Sequence, residues 1–294
     1  MELPLSFIRE ECLMATFYNQ ATLSYNGNVT NSNITTGELL EVLSASKTAV
    51  DGEYWLNDED TYIISILNSG STSYTNLTVT DDLGAYDYSM GTLVPLTYVE
   101  GSALYYINGV LQPAPAVTSL SPLTVTGISV PAGGNAAIIY SARANSFAPL
   151  EQGGQITNTV TVTANGTTAE AQETVTARAE PRLTISKSLS PTVITENGRL
   201  TYTFVIQNYG NTPVLATDDA VITDTFDPIL SALDVAFNGA QWTAGVNYSY
   251  NAATGLFVTA PSQITVPAAA YTQDASGAWV IQPGVSILTV SGTV

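Results

Sequence analysis

The chain has 294 residues, enough for two domains of ordinary size, each with its own hydrophobic core. Its formal net charge of −18 argues against association with nucleic acid or with anionic membranes, because both require basic patches. The chain has no histidine and one cysteine, Cys12, which excludes the commonest catalytic base, an internal disulfide and a cysteine-based metal site. We therefore expect neither an enzyme nor a bound metal or cofactor.

Short strand-forming runs extend through the whole sequence. Apolar residues alternate with Thr and Ser, the 16 Tyr suit half-buried strands, and Gly, Pro and Asn interrupt the runs. No long stretch has the 3.6-residue period of an amphipathic helix, and none approaches the roughly 18 apolar residues of a membrane span. The sequence predicts an all-β protein of the sandwich or barrel type.

Residues 1–14 are predicted to be a leader that precedes the first strand. Their apolar run is too short, and its flanks are wrong, for a secretory signal peptide, and the residues after Met14 do not form a signal either. Cys12 lies in this leader, where it could form a disulfide with a neighbouring subunit in oxidising surroundings. The alternative is a free thiol in a disordered leader or in a wrongly assigned start.

Two copies of one module follow, at residues 37–178 and 179–294. The copies share four landmarks in the same order, which are a Lys, a Tyr fifteen residues later, an Asn-x-Gly triplet and a strand that ends in Thr-Asp: Lys47, Tyr62, Asn68 and Asp81 in the first copy, and Lys187, Tyr202, Asn208 and Asp224 in the second. Self-similarity over this length indicates a duplicated domain.

The order SK…TY…NxG…VTD…PAG…ITNTVTV resembles the DUF11 repeat of bacterial surface proteins, and the resemblance covers nearly the whole chain, twice. This family implies an immunoglobulin-like sandwich that occurs in strings on cell surfaces. A two-repeat chain of this size without a signal peptide is also similar to the ribbon-appendage proteins of clostridial spores. The resemblance therefore implies two tandem immunoglobulin-like β-sandwiches on an extracellular surface, and specifically on a spore surface.

The second module is predicted to lack its last strand. The first module closes with a strand at 154–166, whereas the second stops one strand earlier, at Val294. A sandwich without its last strand exposes an apolar slot and a row of unpaired backbone groups, so we expect another segment to fill it.

The N-terminal segment 15–36 is predicted to be the donor strand and its connector. Residues 17–27 match 156–166 position by position, which aligns Asn19 with Asn158. Donation of this strand to the second module of a neighbouring chain would generate an open, head-to-tail homopolymer. The alternatives are that the segment folds back onto the second module of its own chain or adds an edge strand to the first.

The two lysines of the chain occupy equivalent positions, whereas solubilising surface lysines would scatter. Each module is expected to combine its Lys with an Asp at the end of a central strand and an Asn from the closing strand: Lys47, Asp81 and Asn158 in the first module, and Lys187, Asp224 and Asn19 of the neighbouring chain in the second.

A buried Lys, acid and Asn are the groups that an autocatalytic isopeptide bond requires, and the resemblance implies the same bond. Burial favours a neutral, nucleophilic amine and a protonated acid, which shuttles protons as ammonia leaves. We predict Lys47–Asn158 and intersubunit Lys187–Asn19 crosslinks, with Asp81 and Asp224 as proton shuttles. The alternative is a buried Lys–Asp salt bridge with the Asn satisfying a strand end, although such pairs are costly in desolvation.

These predictions together describe a self-assembling filament or appendage subunit. The alternative function is a monomeric surface adhesin that recognises a host protein or carbohydrate, but an adhesin should be complete in itself, and the missing strand argues against it. The acidic run 57–60 lacks the ligand spacing of a calcium loop and is predicted to be a solvated hairpin.

Overall fold

The computed structural model describes residues 14–40, 42–89, 91–164 and 166–294. These residues form 28 β-strands and one short 3-10 helix at Ala216–Asp218, which confirms the predicted all-β class. Within the same ranges, no helix has the length and apolar composition needed to cross a bilayer.

Residues 14–40 form one hairpin built of two successive strand pairs, which we call the N-terminal hairpin. Its strands are β1 (Met14–Asn19), β2 (Thr22–Tyr25), β3 (Asn28–Asn31) and β4 (Thr35–Leu40). Strand β1 pairs with β4, and β2 pairs with β3. The turn is Asn26-Gly27, whose φ angles of 44° and 79° are those that a tight hairpin turn requires. Among the described residues the hairpin forms no ladder with either sandwich, so it neither folds back onto the second module nor extends the first.

The first sandwich consists of two six-stranded sheets. In chain order the strands of this domain are β5 (Leu43–Ala49), β6 (Glu53–Tyr54), β7 (Glu59–Asn68), β8 (Tyr74–Asp81), β9 (Tyr86–Tyr88), β10 (Gly91–Leu93), β11 (Leu96–Tyr98), β12 (Leu104–Ile107), β13 (Val110–Leu111), β14 (Ala116–Leu120), β15 (Leu123–Val130), β16 (Asn135–Ala144), β17 (Gln155–Ala164) and β18 (Thr167–Ala177). The first sheet has the order β13-β12-β16-β7-β5, with β11 also paired to β16, and the second has the order β14-β15-β8-β17-β18-β6.

The two sheets bury alternate residues of each strand, as the period of a half-buried strand requires. Strand β16 shows the pattern most clearly, since every second side chain from Ala136 to Ala144 lies in the core. Strand β7 of the same sheet and strands β8, β15 and β17 of the opposite sheet contribute further core residues. Among the described residues of this sandwich, four polar or charged side chains are buried with the apolar ones: Lys47, Asn68, Asp81 and Asn158.

The second sandwich has a five-stranded sheet and a smaller, three-stranded one. Its strands are β19 (Leu183–Ser190), β20 (Arg199–Asn208), β21 (Thr223–Thr225), β22 (Ser231–Phe237), β23 (Ala240–Gln241), β24 (Tyr248–Asn251), β25 (Leu256–Thr259), β26 (Ala270–Gln273), β27 (Trp279–Gln282) and β28 (Gly284–Thr293). The sheet orders are β19-β20-β28-β22-β23 and β21-β25-β24, while β26 and β27 form a separate hairpin.

The smaller sheet of the second sandwich lacks strands that its counterpart has. Asp224 on β21 pairs with Phe257 on β25, just as Asp81 on β8 pairs with Leu123 on β15. Strand β25 therefore takes the place of β15. In the first sandwich the other edge of β8 pairs with β17, but among the described residues no strand pairs with that edge of β21. The prediction of a second sandwich without its last strand is confirmed for the described residues.

The repeated Asn-x-Gly triplet has a structural role in both domains. The side-chain amide of Asn68 donates to the carbonyl groups of Thr72 and Pro131, and its oxygen accepts from the backbone nitrogen of Gly70. Asn208 makes the same set of bonds at the equivalent positions of the second domain. Each buried amide thus supplies partners for a loop that could not satisfy its own backbone groups.

The two sandwiches contact each other through the β26–β27 hairpin. The rings of Tyr271 on β26 and Trp55 lie edge to face, with centroids 6.5 Å apart. The backbone nitrogen of Trp279 donates to the carbonyl of Ser146 at 2.7 Å. This hairpin therefore couples the second domain to the core of the first.

Candidate functional site

Strand β5 places Lys47 inside the first sandwich. Its inward-facing position, opposite Ile64 of β7, leaves the residue only 3% exposed. The amine lies over the rings of Tyr62 and Tyr140, at 5.4 and 6.0 Å from their centroids. Nζ donates a hydrogen bond to Oδ2 of Asp81 at 2.6 Å.

Asp81 ends β8 on the facing sheet, so the Lys47–Asp81 pair bridges the sandwich. Its Oδ1 accepts a hydrogen bond from the backbone nitrogen of Leu83 at 3.0 Å. Its Oδ2 accepts from both Lys47 and the hydroxyl of Tyr140, the latter at 2.8 Å. Three donors therefore fix this buried carboxyl group in one orientation.

Asn158 approaches the pair from the closing strand β17. Because Val160 lies opposite Asp81 in the β17–β8 ladder, Asn158, two residues earlier, points into the same interior just beyond the carboxyl group. Its Nδ2 donates to the hydroxyl oxygen of Tyr140 at 3.1 Å. Its Oδ1 is buried and has no hydrogen-bond partner. A buried carbonyl without a donor costs about 1–3 kcal/mol and calls for an explanation.

Tyr140 is the member of this site that sequence reasoning missed. Its hydroxyl donates to Asp81 and accepts from Asn158, so it joins the acid to the amide nitrogen. The strand pattern predicts that residue 140 faces the core, but the repeat gives no further signal, because the equivalent residue of the second module is Val290.

The electrostatics of the site are dominated by burial. Desolvation lowers the pKa of Lys47, although the carboxylate of Asp81 acts in the opposite direction. Desolvation likewise raises the pKa of Asp81, against the effect of the nearby amine. Both shifts favour a neutral amine and a protonated acid over a separated ion pair. The site therefore combines an amine and an acid, whose buried environment favours their uncharged forms, with an amide that Tyr140 links to the acid.

The equivalent pair in the second sandwich is more exposed to solvent than the pair in the first. Lys187 Nζ contacts Asp224 Oδ2, but the contact lacks hydrogen-bond geometry, and that oxygen has no other partner. The side chains of Lys187 and Asp224 are 38% and 19% exposed, compared with 0% and 1% for Lys47 and Asp81. Both domains therefore contain the Lys–Asp part of the site, but only the first domain also contributes the Asn.

The remaining predicted residues lie apart from this half-site. Asn19 is exposed in the N-terminal hairpin, where it pairs with Thr35, and no hydrogen bond or ion pair in the described part of the chain joins it to Lys187 or Asp224. Cys12 falls outside the described residues.

The acidic run 57–60 is occupied by protein contacts. Asp58 accepts from the backbone nitrogen of Trp55, and Glu59 pairs with Arg143. Asp60 Oδ1 accepts from two backbone nitrogens. Across the described ranges, no group of three or more His, Cys, Asp and Glu side chains is arranged to hold a metal ion.

No protein-family model matches the chain, and no curated protein matches it. Similar solved structures include the pilus backbone RrgB of Streptococcus pneumoniae, with a TM-score of 0.34, 13% identity, and coverage of 82% of this chain and 55% of that one. BcpA, the major pilin subunit of Bacillus cereus, has a TM-score of 0.34 at 11% identity, covering 91% and 73%. The collagen adhesin CNA of S. aureus has a TM-score of 0.28 at 11% identity, covering 50% and 55%. The chain thus spans about half the length of the pilus backbone. Because the TM-scores are this low, these structures give no information on the function of the chain or on the roles of its residues.

Proposed function

We propose that this chain is a structural subunit of a surface filament, in which Lys47 and Asn158 form an isopeptide bond and neighbouring subunits join head to tail. The observation that carries the proposal is the buried Lys47–Asp81–Asn158 group, in which the amide oxygen of Asn158 has no partner. The protein acts on itself once and is not a turnover enzyme.

The proposed reaction needs no cofactor. The neutral Nζ of Lys47 attacks Cγ of Asn158, and protonated Asp81 donates a hydrogen bond to the amide oxygen as negative charge develops there. The Nζ–Cγ bond forms and the Cγ–Nδ2 bond breaks, while one proton moves from Nζ through Asp81 to Nδ2. The side-chain amide of Asn158 is thus replaced by an amide between Lys47 and Asn158, and ammonia is the leaving group.

A purely structural salt bridge explains the same residues less well. A buried ion pair contributes little net stability, because desolvation offsets most of the attraction. A salt bridge also gives no role to the unpaired oxygen of Asn158, whereas the reaction gives that oxygen a donor in its transition state.

The open half-site in the second domain supports head-to-tail assembly. The unpaired edge of β21 runs beside Lys187 and Asp224, so a strand added there would bring its own side chains to this pair. We propose that the N-terminal segment of a neighbouring subunit supplies that strand and places Asn19 where Asn158 lies in the first domain. Cys12, on the same segment, is proposed to add an intersubunit disulfide.

The intact mass tests the bond in the first domain. The monomeric species of the wild-type protein should weigh one ammonia less than its sequence, and the monomer of Asp81→Asn should have its full sequence mass, since Asn keeps a side chain of the same shape. Lys187→Ala is the matched control and should retain the mass loss. A wild-type mass that equals the sequence mass refutes the bond.

Denaturing gels test the junction. The assembled protein should give a ladder that survives boiling in detergent and reductant, and either Lys187→Ala or Asn19→Ala should abolish it. Deletion of residues 1–27 should abolish assembly altogether. A full-length chain that stays monomeric in electron micrographs would contradict the filament and would fit the alternative of a surface binding module.

The place of the filament is proposed to be an extracellular surface, and specifically that of a spore. Antibody labelling of intact spores and vegetative cells tests this, since staining confined to the cytoplasm of vegetative cells would contradict it.

A further inference from the structure

The gap in the second sandwich is wider than one strand. In the first sandwich, β17 fills the edge of β8, and β18 then lies against β5, the strand that carries Lys47. Strand β19 is the equivalent of β5. The described residues place no counterpart of β17 beside β21 and no counterpart of β18 over β19.

Exposure along β19 shows the effect of the second missing strand. Leu43 of β5 is 3% exposed, whereas its equivalent Leu183 is 44% exposed. Ile185, two residues further along β19 on the same face, is 56% exposed. A single strand added to β21 would replace only β17, so it would leave these apolar side chains uncovered. An occupant that buries them must supply two strands.

The N-terminal hairpin matches the missing pair in register between β2 and β3. Between β1 and β4 its register is offset by one residue, since Asn19 pairs with Thr35 rather than with Ile34, the equivalent of Glu173. Strands β17 and β18 form a hairpin whose ladder closes with Ala164 opposite Thr167, and the sequence between these two residues is Asn-Gly. The N-terminal hairpin also turns at Asn-Gly, with Tyr25 opposite Asn28. Asn158 and Asn19 each stand seven residues before the Asn of their turn.

Side-chain contacts repeat between the two hairpins as well. Thr161 on β17 contacts Glu170 on β18 through a hydrogen bond of 3.4 Å. At the equivalent positions of the N-terminal hairpin, Thr22 donates to Asn31 at 2.9 Å. The N-terminal hairpin nevertheless lies in solvent and exposes four large apolar side chains by more than half: Tyr18, Leu23, Val29 and Ile34. Such a hairpin is at best marginally stable alone and gains stability by packing.

Building on the function proposed above, we propose that the donated element is the entire N-terminal hairpin, which docks as a preformed two-stranded unit into the second sandwich of another copy of this chain. Strands β1 and β2 take the place of β17, and β3 and β4 take the place of β18. Ala21 then lies opposite Asp224, as Val160 lies opposite Asp81, and Asn19 reaches the Lys187 pair.

A disulfide lock across the hairpin distinguishes a donated hairpin from a donated strand. In a Cys12→Ser background, the double substitution Thr22→Cys and Asn31→Cys places two thiols at positions that are paired in the ladder and whose side chains already touch. The equivalent Thr161 and Glu170 are on the outer face of the first sandwich, so the lock leaves the inward face unchanged. The same chain in reductant is its own unlocked control.

The hairpin model predicts equal polymerisation of the oxidised and reduced variant, measured by light scattering and by the length of the denaturing-gel ladder. Polymerisation that the lock blocks and reductant restores would show that the strand leaves its hairpin, which overturns this inference while the proposed function stands. Failure of the Cys12→Ser chain and of the reduced variant to polymerise would overturn both.

Discussion

At the scale of single residues, the hydroxyl of Tyr140 completes a continuous hydrogen-bonded route between the two reacting groups. Lys47 Nζ and the Tyr140 hydroxyl share Asp81 Oδ2, and the same hydroxyl accepts from Asn158 Nδ2. In the proposed reaction, the proton that leaves Nζ must arrive at Nδ2. Tyr140 stands between the carboxyl group and that nitrogen, so it can relay the proton when the carbon–nitrogen bond breaks.

Tyr140→Phe should therefore slow isopeptide formation without preventing folding. The change keeps the ring, which stacks on Tyr62 with centroids 5.5 Å apart, and removes the hydroxyl together with its hydrogen bonds to Asp81 and from Asn158. Loss of an acid–base group reduces rates by about 10²–10⁴-fold. The measurement is the fraction of freshly purified protein that has lost ammonia, followed over time by intact mass. Tyr62→Phe is the matched control and should react like wild type, while complete reaction of Tyr140→Phe from the outset would contradict the relay.

Asp60 supports a second prediction at this scale. Burial raises the pKa of Asp60, while its Oδ1 accepts from the backbone nitrogens of Asp51 and Thr61 and its buried Oδ2 has no partner. Because the folded pKa exceeds the unfolded one, the folded state holds the proton more tightly, and the ionised carboxylate lowers stability at neutral pH. Stability contributed by this group rises as the pH falls through its folded pKa towards about 3.8.

Asp60→Asn should accordingly stabilise the first domain at pH 7, since the amide keeps the accepting oxygen and removes the buried charge. The gain should shrink as the pH is lowered through the folded pKa of wild-type Asp60, because its own carboxyl group then takes up a proton. Urea unfolding at a series of pH values measures both effects. The exposed Asp87→Asn is the control for the change in net charge, and its unfolding curves are compared with those of Asp60→Asn at each pH.

At the scale of elements, features that occur in both copies of the repeat could be predicted from the sequence, whereas features that occur in one copy only were missed. The fifteen-residue spacing from Lys to Tyr and the Thr-Asp strand end place Lys47 and Asp81 on facing sheets, where the structure has them in contact. Tyr140 has no such support, because Val290 replaces it in the second copy. The pairing partner of β1 and β2 was also missed, although an Asn-Gly turn between strand-forming runs is a strong hairpin signal.

The β26–β27 hairpin is the other element that the repeat could not predict, because the first domain has no equivalent insertion. It packs Tyr271 and Ile281 against the core of the first sandwich. Tyr271 contacts Trp55, and the guanidinium group of Arg182 lies 4.7 Å from the centroid of the same Trp55 ring. Tyr271 and Arg182 of the second domain thus both pack against the ring of Trp55 in the first domain.

Tyr271→Ala should uncouple the two domains. The substitution removes the aromatic pair, worth about 0.5–1.5 kcal/mol beyond area burial, and the apolar contact with the first domain. Calorimetry should show the unfolding of the two domains separating into distinct transitions, with the second domain unfolding first. Val280→Ala, an exposed change on the adjacent strand, should leave the profile as in wild type. A Tyr271→Ala profile that is unchanged in shape would contradict a coupling role.

At the scale of the whole molecule, the net negative charge of each subunit opposes the proposed assembly. Each copy carries a formal net charge of −18, so copies repel one another at long range. The proposed docking element carries almost none of that charge, since Glu38 is its only charged residue within 14–40. The opposing Lys187–Asp224 pair is neutral in sum. Short-range docking is therefore free of net repulsion, whereas the approach of two whole subunits is not.

Polymerisation should consequently accelerate with ionic strength. Between about 10 mM and 150 mM salt the screening length falls from about 30 Å to about 8 Å, which removes most of the repulsion between approaching subunits but hardly alters a buried docking contact. The initial rate of light scattering should rise over this range, while the final ladder on denaturing gels stays the same. A rate that falls with salt would contradict this prediction and would mean that attraction between unlike charges guides the hairpin to its docking site. Reversing the charge at Glu38, the only charged residue of the hairpin, would then slow polymerisation.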